Sequence, residues 1–278
     1  MNRLRYSLLR LLFIAQNTLR EAVRQKIFIL LLVLALGLVA GAQFFREFHF
    51  GSHELKFLTD VGFGAMAGFG AVLAVVATAQ LFFSEIERRT ILTLLAKPVW
   101  RAEFVLGKFA GVAVLTAVFC GGLTALLAGV LWVRESALMR ELPDAFAGGG
   151  MISYAQVALV GLLQWVKLLL LSALTLLVAS YAQTQLFTVV MGFVVWVSCH
   201  LQHLAQAASA RGGASAARVI MGWAAHVLPD FQVFNLGEIL GGEKALPWSY
   251  LGRVLLYAGA YIVVGCALAV FCFRRREL

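Results

Sequence analysis

The sequence predicts an all-α, polytopic membrane protein: six transmembrane helices preceded by an N-terminal interfacial amphipathic helix. Three observations carry this. Hydrophobic residues fill 62% of the 278 positions and charged residues only 13%, about half the charge of an ordinary soluble domain. Several apolar runs exceed the roughly 18 residues a helix needs to cross a bilayer, and the mean hydropathy is +0.88. The third observation is where the basic residues fall. With the N-terminus inside, 14 of the 23 Lys and Arg lie on the inner side, 8 on the outer side, and Lys167 within a span. An excess of Lys and Arg marks the cytoplasmic side. The net charge of +9 therefore records topology, with both termini cytoplasmic and no nucleic-acid partner.

Residues 1–26 are basic and amphipathic, with Leu12, Ala15, Leu19, Val23 and Ile27 on one stripe. They read as a helix on the inner leaflet. The six spans occupy 27–273, at about 27–45, 61–83, 104–133, within 154–179, 185–204 and 251–273. The third is longer than a bilayer requires, so it tilts or projects. Segment 134–153 contains Pro143 and a glycine run, which favours irregular chain. Residues 205–250 form a long outer loop. Within it, Pro229, Asp230 and Gly237 suit either a re-entrant or surface helix-turn or an ordinary polar loop.

The cytoplasmic stretch 84–103 separates spans two and three. Ser84 and Glu87 have the spacing of a capping box that would open a short new helix. Glu85 stands four residues before Arg89, the favourable order for a helical ion pair. Leu94 and Leu95 give an apolar face, and Pro98 ends the helix. Arg101 and Glu103 lead into the next run.

This stretch resembles the cytoplasmic loop of ABC-2-type transporter permeases, the class that includes the NosY-like proteins. The matching residues are Glu85, Glu87, Thr90, Leu94, Leu95, Pro98, Arg101, Leu106, Gly107, Lys108 and Phe109. The opening fragment NTLREAVRQKIF and the outer fragment LPDFQVFNLGEIL resemble the same class. The resemblance implies a single transmembrane domain over 1–278 in the bacterial cytoplasmic (inner) membrane. It also implies a separate ATPase subunit, docked on Glu85, Glu87, Arg88, Arg89, Thr90, Leu94, Leu95, Pro98 and Arg101, and a second permease copy or paralogue. The expected partners are then these subunits and the lipid bilayer. A secondary transporter and a scaffold for a membrane complex are the alternatives.

No site for ATP is expected on this chain, which implies no cofactor of its own and no enzymatic activity. Gly107–Lys108 lacks both the glycine five residues earlier, where Ala102 stands, and a following Ser or Thr, where Phe109 stands. The phosphate cradle cannot form. Its expected roles are close helix packing and a lysine snorkelling to the inner headgroups. Gly37–Gly41, Gly64–Gly68 and Gly107–Gly111 are small-residue pairs, expected to pack within one subunit. Cys199, His200 and His203 match no strong metal spacing, so no metal site is expected. The four cysteines read as small buried hydrophobes. Lys167 is a charge well inside a span, away from both of its ends. It suits either a position on the translocation path, facing an inter-subunit cavity, or an outward-snorkelling anchor.

Overall fold

The computed structural model describes residues 2–42, 54–87, 100–141, 153–210, 228–235 and 248–275. Helix α1 (Asn2–Val23) and helix α2 (Lys26–Gly41) meet at a bend of 66°. The bend sits at Gln25, whose backbone is extended, and Gln25 N–H donates to the Ala22 carbonyl at 3.0 Å. The helices that follow are α3 (Glu54–Glu87), α4 (Arg101–Glu141), α5 (Tyr154–Tyr181), α6 (Gln185–Ala210) and α7 (Trp248–Arg274). Among the described residues, five helices are long and apolar enough to cross a membrane. The bent α1–α2 pair makes a sixth if counted as one span.

Helix α5 is the centre of the bundle. Two-thirds of its apolar window (67%) is buried, against 22% for α6 and 28% for α7, and it packs on α3, α4, α6 and α7. The outer helices turn Leu30, Val33, Leu186, Val190, Leu256 and Val263 outward, as a lipid-facing surface requires. Hydroxyls inside the bundle bond back to their own helix: Thr78 to Ala74 O, Thr116 to Val112 O, Ser172 to Leu168 O and Thr175 to Leu171 O, at 2.6–2.9 Å. Without water, this is how a buried hydroxyl is satisfied.

One expectation changes. Ser84 does not open a new helix, because α3 continues through it to Glu87 and the Ser84 hydroxyl donates to Leu81 O at 3.3 Å. Helix α4 continues through 134–141 and runs 41 residues to Glu141, about 60 Å at 1.5 Å per residue, twice a hydrocarbon core of about 30 Å. Its far end is held where the Tyr154 hydroxyl donates to the buried Glu135 carboxylate at 2.5 Å. The loop 228–235 is folded inward, as described below.

Helix α1 lies on the first turns of α4, and this is where glycine is needed. A Cβ on Gly107 would come 2.6 Å from Ile14 Cγ2, and one on Gly111 2.5 Å from Thr18 Cβ. This pair packs within the subunit, as expected. Gly37, Gly41, Gly64 and Gly68 do not, since a Cβ on any of them meets nothing within 4 Å. Thr18 and Ala22 are buried on the α4 side, while Phe13, Gln16, Asn17, Arg20 and Arg24 stay exposed. Gly111→Val should overpack this seam at a cost of about 1–3 kcal/mol. Thermal unfolding of the purified protein in detergent should then shift downward and trypsin should cut faster at Arg20. An unchanged melting temperature would contradict the seam.

Candidate functional site

The two helices bracketing residues 88–99 are tied together at one end of the bundle. Glu85, on the last turns of α3, places Oε1 2.6 Å from Lys108 Nζ on α4, and Glu21 of α1 places Oε2 3.9 Å from the same nitrogen. The Lys108 and Glu85 side chains are only 2% and 12% exposed. Beside them, Phe82 of α3, Phe104 of α4 and Phe273 of α7 form an aromatic cluster with centroids 5.5–6.0 Å apart. Arg101 Nη1 donates to Arg274 O at 2.8 Å and to Phe273 O at 3.5 Å, satisfying carbonyls that α7 leaves open at its C-terminus. The start of α4 is set locally: Trp100 N–H donates to the Glu103 carboxylate at 3.2 Å, one half of a capping box.

Two of the sequence-predicted coupling residues therefore sit in this frame. Glu85 turns inward to Lys108, and Arg101 caps α7. Glu87 ends α3. Arg88, Arg89, Thr90, Leu94, Leu95 and Pro98 lie outside the described residues. Lys108 does not snorkel outward, because α1 seated on Gly107 and Gly111 covers it. A lysine beside a small-residue seam was the available signal. Its partners, 23 and 87 positions away, were not readable.

Lys167 lies deep inside the bundle. It is 3% exposed, 13 residues from Tyr154 and 14 from Tyr181. Its Nζ stands 3.4 Å from His200 Nε2 and 5.4 Å from the centre of the Phe231 ring. The Asp230 carboxylate acts on it electrostatically. His200 Nδ1 meets Trp196 O at 3.2 Å, and its ring is edge-on to both Trp196 and Phe231. Asp230 accepts from Gln232 N–H at 2.8 Å and opens the 3-10 turn Phe231–Phe234, while its own N–H donates to the Tyr257 hydroxyl of α7 at 2.9 Å. Segment 228–235 thus reaches the level of His200. Helix α6 continues ten residues past His200 to Ala210, about 15 Å. The Lys167 side chain is buried between α6 and segment 228–235. Among the described residues no group of His, Cys, Asp and Glu has a metal-holding arrangement, and Cys120, Cys199 and Cys266 are buried free thiols.

A groove of about 670 Å³ opens between α2, α3 and α6. Leu38, Val61, Gly64, Gly68, Val72 and Trp196 are among its lining residues, and Trp196 in turn touches His200.

A bundle of apolar helices of membrane-spanning length with two buried polar clusters defines a multi-pass membrane protein. The family model described as ABC-2 family transporter protein matches residues 12–278, and the chain belongs to that family. It is a membrane permease of the ABC-transporter class, whose members in general work with an ABC ATPase. No curated protein matches the chain.

Lys167→Met would leave Asp230 facing an uncharged neighbour. It should lower stability, read as a drop in melting temperature. Adding Asp230→Asn should recover part of the loss. Strictly additive losses in the double variant would show that the two charges do not interact.

Proposed function

We propose that the chain is the membrane-spanning half of an ATP-driven transporter of the NosY-like kind, forming one transmembrane domain over its length. A separate ATPase subunit docks on residues 88–99. Glu87, Arg88, Arg89 and Thr90 supply charge for orientation, Leu94 and Leu95 an apolar face, and Pro98 the stop. ATP stays on that partner, and this chain carries no cofactor. The observation that carries the reading is the frame: α3 and α4 enter and leave the stretch through one clamped unit that also grips α1 and α7. A push on residues 88–99 is thereby delivered to four helices together. Glu85 and Arg101 serve coupling from inside, by holding the frame.

The transporter works with a second copy of the chain or a paralogue. The open apolar face at Gly64 and Gly68 supports this, since small residues let two helix backbones approach. Lys167 lies behind Trp196 of the same groove and gives the transport path its one deep positive charge. The basic residues around α1 and the bracketed stretch support a cytoplasmic position for that end, in a bacterial inner membrane.

Leu94→Asp and Glu87→Lys should each release the ATPase from the purified complex while membrane insertion stays normal. Full co-purification and undiminished ATP hydrolysis with both variants would refute the docking assignment. For topology, single cysteines replacing Thr90, Ser136 and Ser215 in a cysteine-free background should divide in intact cells. An impermeant thiol reagent should label positions 136 and 215 and leave 90 unlabelled, and the reverse pattern would invert the protein.

A further inference from the structure

We infer that Lys108 is a positioning residue. It locks the N-terminal helix to the coupling frame, so that α1 moves with the ATPase-facing stretch and is not a passive float on the membrane surface. This rests on the coupling role proposed above and extends it to a helix outside the bracketed stretch.

Three elements converge on one ammonium group. Lys108 comes from α4, Glu85 from the end of α3 two residues before its last turn closes, and Glu21 from α1. The short contact of 2.6 Å is with Glu85, and the 3.9 Å approach to Glu21 is the looser one, on the more exposed carboxylate at 24%. A lysine fits this job because it offers three N–H groups on a flexible stem and serves two carboxylates at once. The Phe104 ring lies 5.9 Å from the same nitrogen, so the aromatic cluster backs the charge cluster.

Packing makes the connection stiff. Ile14 and Thr18 sit directly on Gly107 and Gly111, so α1 cannot slide along α4 without raising a side chain over a neighbour. The ion pairs fix its remaining freedom, which is rotation about its own axis: Glu21 faces Lys108 only in one rotational setting. The exposed face of α1 then always presents Phe13, Gln16, Arg20 and Arg24 to the same side. A displacement of the α3 end is passed through Glu85 to Lys108 and on to Glu21.

A structural support and a positioning device differ in what survives when both charges are removed. Lys108→Met alone strands a buried carboxylate and is expected to fold poorly. Lys108→Met with Glu85→Gln removes both charges at nearly constant volume, and such replacements leave stability intact or raised. Two readouts then apply. Spin labels at positions 16 and 100, in a background lacking the four native cysteines, should give one narrow distance distribution in the parent protein and one about twice as wide in the double variant. In the complex purified from its own membrane, the ATP turnover number should fall about fivefold with the KM for ATP and the melting temperature unchanged. Lys108→Arg, which keeps the charge, should recover most of that turnover. An unchanged distance distribution, or full turnover in a double variant of normal stability, overturns the inference and leaves the docking assignment standing. Absence of any ATPase from the parent preparation overturns the functional reading, and this inference with it.

Discussion

The constraint behind this structure is that the hydrocarbon phase supplies no hydrogen bonds. Every polar group carried into it must be answered from within the chain. For the hydroxyls the answer is local, a bond to the carbonyl one turn back. For Trp165 it is a neighbour: the indole N–H donates to Ala113 O of α4 at 3.1 Å. For the two deep lysines no local answer exists. Lys108 needs α1 and α3, and Lys167 needs α6 and the 3-10 turn. Each lysine therefore holds together helices that apolar packing alone would hold weakly, because lipid tails compete for the same surfaces.

That dependence explains which features were legible in the sequence. The helical, membrane-spanning class follows from composition and local pattern, and the helices appear where the apolar runs lie. The N-terminal helix ends at Val23, three residues before the predicted boundary at Lys26. Local motifs failed where a distant contact outweighed them. Ser84 and Glu87 have the spacing of a helix start, yet α3 runs through them. Phe82 and Phe83 are buried there against Phe104 and α5, and Glu85 reaches Lys108 on α4. Arg89, its expected i, i+4 partner, lies outside the described residues.

Lys167 shows the same limit from the other side. Its depth along α5 was readable, and depth alone left two orientations open. Its neighbours in the fold are His200, 33 positions on, and Asp230 and Phe231, 63 and 64 positions on, which no local pattern on α5 announces. Pro229, Asp230 and the Asx-type bond to Gln232 N–H are local cues for a turn. Nothing local specifies that the turn is buried. Phe231 and Phe234, both buried, are the apolar residues that bury it.

The two lysine clusters have different mechanical consequences. Around Lys108 the contacts are short, charged and backed by four phenylalanines, and they join helix ends to helix ends. Such a unit transmits displacement with little internal give. Around Lys167 a 3.4 Å approach to an imidazole, a ring face and a carboxylate at longer range hold a short 3-10 turn against α5 and α6. That assembly has fewer strong contacts. Free energy delivered at residues 88–99 would thus travel through a stiff end and be released at the softer one. Helix α5 is the element common to both, contributing Leu176 and Ala179 to the aromatic end and Lys167 to the other. Its central burial is what makes the two clusters parts of one body.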